Sequence, residues 1–436
     1  MELKHAENQP EQTFQGSNHR KIALGLSIIP GLGQLYNRQI LKGMLFLLLT
    51  ISFVVVFKDF LNIGLWGLVT LGEVLPRDHS IFLLVYGILS VILLVFALGF
   101  YVFNLRDAYK NGEKRDLGLR ISTVKEQYHN LLDNGFPYLM ISPGFVLLVF
   151  VVIFPILFVI LLAFTNYDLY HSPPAKLVDW VGFKNFIDMA TVPIWRETFI
   201  SVFAWTLIWT FGATTLQVAL GIFLAILINQ KDLKGKAIIR TVFILPWAVP
   251  GFVSILVFAG MFNETFGAIN NDILAFLGIE GINWMTEPLW SRVALIMIQT
   301  WLGFPFIFAM TTGVLQSIPE ELYEAATVDG ATAVQKFMKI TLPLVLFATA
   351  PILITQYTFN FNNFNVIYLF NAGGPAVSGQ TAGSTDILIS WIYKLTMTTQ
   401  QYGKAAAITM LLSVIVITVA LWQFKRTKSF QEEDMM

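Results

Sequence analysis

One polar stretch decides which fold this chain adopts: Glu324-Ala325-Ala326-Thr327-Val328-Asp329-Gly330-Ala331. It lies between two of the most hydrophobic segments of the sequence and is followed by Phe337, Ile340 and the pair Leu342-Pro343. Apolar and acidic residues share it at helical spacing, which predicts a short amphipathic helix, and Gly330 permits a break after it. Such a helix on one side of a bilayer favours a docking surface for a soluble partner.

The residues before this stretch carry helix-start signals. Ser317 is expected to cap the helix, with Pro319 in its first turn and Glu320 three residues after the cap. The segment 317–343 therefore predicts a helix, a turn and a second apolar face that leads into the next apolar run. An ordinary amphipathic connector resting in the lipid headgroups is the alternative interpretation of this pattern.

The composition places the chain in a membrane. Its 436 residues are 56% hydrophobic and 13% charged, with a mean hydropathy of +0.66, whereas soluble domains carry about 25% charged residues. The 28 basic and 28 acidic residues balance, so no bulk electrostatic attraction to nucleic acid is expected. There is no cysteine, which excludes disulfides and thiolate metal sites, and no metal site is expected.

Eight segments are apolar over the roughly 20 residues that a spanning helix needs. They are 42–60, 80–104, 138–164, 198–229, 237–262, 291–316, 342–368 and 404–424. A further apolar piece, residues 22–36, is interrupted by Pro30, Gly31 and Gly33, which predicts an interfacial or re-entrant hairpin. The sequence thus predicts an all-α integral membrane protein with eight transmembrane helices.

Lysine and arginine in short loops predict the orientation, because cytoplasmic loops carry the excess. They cluster in the loops 105–137 and 230–236 and in the tail from 425, whereas 263–290 has neither. Both termini and the polar stretch are therefore expected on the cytoplasmic side of the cell membrane.

The same features divide the chain into segments. We expect a disordered cytoplasmic tail (1–21), an accessory amino-terminal membrane segment with two spans and a cytoplasmic linker (22–137), a six-span core (138–424) and a cytoplasmic tail (425–436). The core spans contain seven prolines, and broken membrane helices are tolerated where they face protein or a water-filled cavity. Proline is also common in membrane helices that have no transport role. The number of prolines in these spans nevertheless favours a transport path.

The polar stretch resembles the EAA loop found in permease subunits of binding-protein-dependent ABC importers. In that family the loop forms a coupling helix that sits in a cleft of the ATP-hydrolysing subunit. The resemblance implies a type I importer permease core of six helices with a cytoplasmic coupling helix. It also implies an ATPase-coupling role for Glu324, Ala325, Ala326, Asp329 and Gly330.

Three further segments, 301–305, 359–364 and 371–375, are similar to the maltose/maltodextrin permease subunits of the MalF type. The short loop 165–197 resembles the short-loop proteins of Gram-positive bacteria rather than enteric members, which carry a large insertion there. The resemblance implies a sugar site midway through the membrane at Trp247, Leu302, Gly303, Phe306, Phe359, Asn360 and Asn363. Phe306 stands where the family usually has tyrosine and Gln356 replaces a small polar residue, which leaves the length and linkage of the sugar open.

The residue types fit a sugar without the resemblance. Asn360 and Asn363 are three residues apart in an uncharged span and are expected to share one helical face near Phe359. Amides both donate to and accept from hydroxyl groups, which suits a neutral oligosaccharide better than an ion. Hydrogen bonding between helices is the alternative role for membrane asparagines.

The sequence contains no Gly-x4-Gly-Lys-Ser/Thr phosphate loop, so the chain is predicted not to be an enzyme and to bind no cofactor. ATP is expected to be used by two copies of a partner ATPase. A second permease subunit, an extracellular sugar-binding protein, a maltodextrin or similar sugar and membrane lipid complete the expected partners, without nucleic acid. The expected function is alternating-access import of maltose or maltodextrins.

Three alternatives remain open at this stage. The first is a permease for another neutral oligosaccharide, such as a galacto-oligosaccharide. The second is an ion-coupled secondary sugar carrier, although such carriers usually place an acidic residue or histidine within a span, and the core spans almost lack them. The third is a membrane scaffold or insertion factor, which leaves the polar stretch unexplained.

Overall fold

The structure is a computed structural model that describes residues 18–230 and 233–426. Within these residues, seven helices are long and apolar enough to cross a membrane, and a bent pair of helices makes an eighth. The predicted all-α membrane fold with eight spans is confirmed. The predicted tails fall mostly outside the described residues, as does Lys231 of the basic loop 230–236. The orientation of the chain in the membrane stays a prediction.

The chain divides into two compact units, and the amino-terminal unit consists of residues up to Leu161 together with Thr165–Trp180. Its described helices are α1 (His19–Leu26), α2 (Leu32–Tyr36), α3 (Ile40–Thr70), α4 (Ser80–Asp116), α5 (Val124–Asp133) and α6 (Phe136–Leu162). Residues 19–21, expected in the disordered tail, are helical. By its contacts most of α6 groups with this unit, so the boundary lies later in the chain than residue 137.

A hairpin of α1 and α2 covers the segment that Pro30 and its neighbouring glycines interrupt. Asn104 of α4 holds it: Nδ2 donates to the Ser27 carbonyl at 2.9 Å, and Oδ1 accepts from the Gly31 backbone N–H at 3.3 Å. Gln34 Nε2 donates to the backbone carbonyl of Asn104 at 3.1 Å. Gly31 has a φ of +98° and no room for a Cβ, which explains the glycine. The hairpin is therefore fixed to α4 through backbone groups.

The core unit consists of Leu162–Phe164 and the described residues from Val181 onward. Its helices are α7 (Lys184–Thr191), α8 (Pro193–Ile228), α9 (Lys236–Ala248), α10 (Gly251–Met261), α11 (Pro288–Ser317), α12 (Glu320–Val328), α13 (Ala333–Lys336), α14 (Leu342–Phe361), α15 (Phe364–Asn371), α16 (Leu388–Met397) and α17 (Tyr402–Arg426). A π-helical turn, Phe337–Thr341, joins α13 to α14 without a break.

The helices α8 and α11 pack closely along their length. Gly221 of α8 permits this, because a Cβ there would lie 2.6 Å from the Cβ of Ile307 on α11. Trp209 of α8 and Leu295 of α11 belong to one buried apolar cluster. Small residues that let backbones approach are the usual basis of helix association in membranes. This pair gives the core a firm wall behind the site described below.

The fifth predicted span, 237–262, is broken. Its two halves, α9 and α10, meet at Val249-Pro250 and are bent by 92°. Proline has no N–H to donate and pushes the preceding residue out of helical conformation, which explains the position of the break. Because broken backbone inside a membrane must face protein or water, a cavity is expected beside it.

Candidate functional site: a cavity at the broken span

The core unit contains a cavity of about 740 Å³ at the junction of α9 and α10. Its lining consists of apolar, aromatic and amide-bearing residues: Pro246, Trp247, Ala248, Val249, Pro250, Gly251, Phe252, Ile255, Gln299, Leu302, Gly303, Phe306, Gln356, Phe359, Asn363, Asn365 and Val366. Among the described residues that line it, none is charged. Six of the seven predicted sugar-binding residues lie here, and Asn360 does not.

Asn360 is sealed behind the cavity. Its side chain is fully buried, its Nδ2 donates to Thr214 Oγ1 at 2.8 Å, and its backbone carbonyl accepts from Trp209 Nε1 at 2.8 Å. The expected shared helical face of Asn360 and Asn363 is not observed, because α14 ends at Phe361 and Asn363 follows the break. Hydrogen bonding between helices, the alternative role for these asparagines, describes Asn360.

A chain of side-chain amides lies under the cavity and joins three helices. Asn363 Nδ2 donates to Gln299 Oε1 at 2.9 Å, and Gln299 Nε2 donates to Gln217 Oε1 at 3.2 Å. Gln217 Nε2 donates in turn to Gln356 Oε1 at 3.3 Å. Asn363 also approaches Asn360 Oδ1 at 3.4 Å, which brings the sealed asparagine into the chain. Each amide therefore orients the next, from the buried wall to the cavity.

The chain of side-chain amides passes directly beside Gly303, at the floor of the cavity. A Cβ at residue 303 would overlap the side-chain amide of Gln217, so a larger residue cannot occupy the position without moving the amide. Gln217 itself is fully buried and Gln299 is 4% exposed. The glycine predicted as a sugar contact is thus also the residue that makes room for the amide chain.

Aromatic rings form the open side of the cavity. Trp247 and Phe306 meet edge to face, with ring centroids 5.9 Å apart and planes at 65°. Phe359 and Trp247 remain 60% and 59% exposed, so large apolar ring faces are available. Aromatic rings beside converging amides are typical of sites for ligands that have both an apolar face and polar groups at its edge.

Gln217 and Gln299 are the site residues that sequence reasoning missed. Each lies within an apolar span, Gln217 in α8 and Gln299 in α11, where a polar side chain is costly unless it has a partner. That signal was available in the sequence. Their pairing was not, because it joins residues 82 positions apart.

The predicted coupling residues form a second, separate surface on α12 and its C-terminal turn. Glu324 and Ala325 are exposed on the helix, whereas Ala326 is half-buried. Tyr323 Oη and Thr341 Oγ1 lie 2.9 Å apart, which ties α12 to the beginning of α14. Pro319, rather than Ser317, precedes the helix; the Ser317 hydroxyl donates to the Val314 carbonyl at 2.8 Å, so the predicted cap is wrong.

Asp329 and Gly330 end the helix in a compact turn. The N–H of Gly330 donates to the Thr327 carbonyl at 3.0 Å and the N–H of Ala331 to the Ala326 carbonyl at 2.9 Å. This pair of bonds is the Schellman motif, whose left-handed position favours glycine, and Gly330 has a φ of +75°. Among the described residues other than its two chain neighbours, no atom lies within 4 Å of a Cβ built at Gly330, so backbone conformation explains the residue.

Comparison with known proteins identifies this architecture. Residues 217–426 match the family described as the inner membrane component of binding-protein-dependent transport systems. The chain is 63% identical over 415 residues to the galactooligosaccharides transport system permease protein GanP of Bacillus subtilis (strain 168), covering 95% of this chain and 99% of the relative. The chain belongs to this family of transport-system membrane components.

Two further comparisons agree. The maltodextrin transport system permease protein MdxF of the same organism is 52% identical over 425 residues, covering 96% of this chain and 98% of the relative. A crystal structure of a bacterial ABC transporter involved in the import of the acidic polysaccharide alginate superposes with a TM-score of 0.57 at 22% identity, covering 70% of this chain and 98% of that chain. The second likeness shows the fold alone. The two sequence relatives confirm the expected permease class.

Proposed function

We propose that this chain is the permease subunit of an ATP-driven importer and gives a neutral oligosaccharide alternating access through the membrane. The carrying observation is the cavity at the broken span, where uncharged amides and exposed aromatic rings converge. A phosphorylated or acidic sugar needs cationic side chains, and the described lining offers none.

The proposed substrate is a galacto-oligosaccharide, with maltodextrins as the second candidate. The relative named for galactooligosaccharides is 63% identical over nearly the whole chain, whereas the maltodextrin relative is 52% identical. This order differs from the maltodextrin expectation drawn from sequence motifs. Both sugars are neutral and hydroxyl-rich, so the same cavity chemistry serves either.

Within the cavity we assign the direct contacts to six residues: Trp247, Leu302, Gly303, Phe306, Phe359 and Asn363. The rings of Phe359 and Trp247 would cover apolar faces of the sugar, and the Asn363 amide would bond its hydroxyls. Asn360 would act from behind, by holding Asn363 and bracing α8 through Thr214.

The partners follow from the same proposal. Two ATPase subunits would use ATP, and one of them would receive α12 in its cleft, through Glu324, Ala325, Ala326, Asp329 and Gly330. A second permease and an extracellular sugar-binding protein would complete the importer. The exposed acidic and apolar side chains of α12 support this, since Val328 is 87% and Leu322 44% exposed.

The first experiment compares Asn363→Ala with Asn362→Ala in the assembled importer in proteoliposomes. Asn362 is an exposed neighbour outside the cavity, which makes it the matched control. We expect Asn363→Ala to raise the KM for galactotriose uptake about tenfold, since leaving a buried polar partner unpaired costs about 1–3 kcal/mol, and Asn362→Ala to leave it unchanged. Equal KM values for the two variants would reject the site.

Substrate class is measured in the same vesicles. Galactotriose should compete with labelled substrate at lower concentration than maltotriose, and the reverse order would select the maltodextrin candidate. Uptake that continues without the ATPase subunits, driven by an ion gradient, would instead support a secondary carrier.

The coupling assignment has its own test, with Glu324→Lys compared with Glu280→Lys. Glu280 is also exposed but lies in the loop between α10 and α11. Because a reversed charge at a docking surface costs several kcal/mol, uptake by Glu324→Lys should fall at least about tenfold while sugar still binds. Wild-type uptake by Glu324→Lys would contradict the assignment.

A further inference from the structure

A basic polar cavity of about 470 Å³ lies in the amino-terminal unit, where α3 begins and α4 ends. Three cationic residues line it: Arg38, Lys42 and Arg115. Asp107 bonds Lys42 at 2.7 Å, and no acidic residue lines the cavity among the described residues. Arg115 is fixed, since its Nη1 donates to the Tyr36 carbonyl at 2.7 Å. The cavity therefore keeps a positive charge that one carboxylate does not balance.

Gln39 is a second, independent observation at this cavity. Gln39 is one of the residues that line this cavity, and it is only 7% exposed. Neither its Oε1 nor its Nε2 has a hydrogen-bond partner among the described residues. A buried amide without partners is unfavourable, so a ligand that reaches it and bonds it is favoured. An amide beside cations suits a phosphate-bearing group with hydroxyls.

An apolar groove of about 560 Å³ adjoins the basic cavity and shares Lys42 and Gln127 with it. Leu41, Leu45, Phe46 and Phe103 supply its apolar walls. Lys42 stands where the two meet, with its Nζ 5.8 Å from the centroid of the Phe46 ring. A soluble phosphate compound would use the basic cavity and leave the groove empty.

We propose that this composite site binds one anionic phospholipid, with its phosphate headgroup in the basic cavity and an acyl chain in the groove. The beginning of the span α3 places the cavity at the end of the hydrocarbon region, where lipid headgroups lie. Basic pockets at this depth attract anionic headgroups. The inference stands apart from the identity of the transported sugar.

The test uses the purified importer in detergent, freed of lipid and titrated with dioleoyl phosphatidylglycerol or dioleoyl phosphatidylcholine, with bound lipid counted by native mass spectrometry. Phosphatidylglycerol should bind at least about tenfold more tightly. The variants Arg38→Ala and Gln39→Leu should each weaken it about fivefold, whereas Arg77→Ala, an exposed arginine in the loop between α3 and α4, should not.

Two further arms separate the lipid from a free phosphate compound. Leu45→Trp, which fills the groove, should weaken the binding of phosphatidylglycerol and leave the binding of glycerol 1-phosphate unaltered. Equal affinity for both lipids, or glycerol 1-phosphate binding as tightly as phosphatidylglycerol, would overturn the proposal. Unchanged lipid binding in Arg38→Ala and Gln39→Leu would place the lipid elsewhere and overturn it as well.

Discussion

Two groups of buried amides lie in apolar helices of this chain, and they differ in what they bond. In the amino-terminal unit, Asn104 bonds the backbone of Ser27 and Gly31. In the core unit, Gln299 and Gln217 bond other side chains, and the chain that they form ends at an open cavity.

The difference separates a structural role from the proposed role in binding. Backbone groups cannot rotate away, so the Asn104 bonds fix one conformation of the hairpin. Side-chain amides in a chain polarise and orient one another, and the terminal members can exchange a bond for a ligand hydroxyl. Mutations that remove each kind of amide should therefore damage different properties.

The largest effect is expected for Gly303→Ala. The added methyl overlaps the Gln217 amide, so it displaces the middle of the chain of side-chain amides in the core unit. Uptake should fall at least about a hundredfold, since two buried bonds worth about 1–3 kcal/mol each are lost together. Gly313→Ala on the same helix is the control, because a Cβ there meets no atom of the described residues within 4 Å beyond its own stretch of helix. Transport assays in proteoliposomes decide between them, and normal uptake by Gly303→Ala would show that the amide chain has no role.

A smaller effect is expected for Gln217→Leu. The substitution keeps the volume but leaves Gln299 Nε2 and Gln356 Oε1 without partners. The KM for sugar should rise about tenfold, while kcat changes less, since Asn363 loses its orientation rather than its contact. Partial rescue by Gln217→Glu, which restores the acceptor for Gln299, would distinguish positioning from simple misfolding. An unchanged KM would show that the core amides, like Asn104, have no role in binding sugar.

Asn104→Leu should affect stability alone. It leaves the Gly31 N–H and the Ser27 carbonyl unpaired, at a cost of about 1–3 kcal/mol for each group. Hydrogen exchange in residues 19–36 should accelerate, and the KM for sugar should stay at the wild-type value. A raised KM would mean that the hairpin influences the cavity and that the two amide groups are not separate in function.

The smallest effect is expected for Phe306→Tyr. This adds one hydroxyl beside Trp247 at the cavity, without breaking any bond of the amide chain. The preference between galactotriose and maltotriose should change about threefold to tenfold, as one hydrogen bond to a sugar is worth about 0.5–1.5 kcal/mol. Competition assays measure the ratio, with unaltered thermal stability as the control. An unchanged ratio would place Phe306 outside the sugar contacts.

The fold was largely predictable, because eight apolar runs are a direct consequence of bilayer thickness. The bend at Val249-Pro250 was indicated only by the number of prolines, since sequence does not say which proline breaks a helix. Asn363 was found by its position beside Phe359. Asn360 was placed at the cavity by the same pattern, but α14 ends at Phe361, and only Asn363, which follows the break, lines the cavity. Gln217 and Gln299 belong to the site because they bond each other across two helices, and no local sequence pattern encodes such a long-range pair.

The helix α13, the π-helical turn and α14 follow one another without a break, so this part of the chain can move as one long helix. From Ala333 to Phe361 it measures about 43 Å at 1.5 Å per residue. Tyr323 fastens α12 near one end, and Phe359 stands near the other. If the rod tilts as a body by about 5°, the far end sweeps roughly 4 Å, which approaches the width of a sugar ring. Under the proposed function, a small displacement of α12 would thus move Phe359 far enough to release a bound sugar.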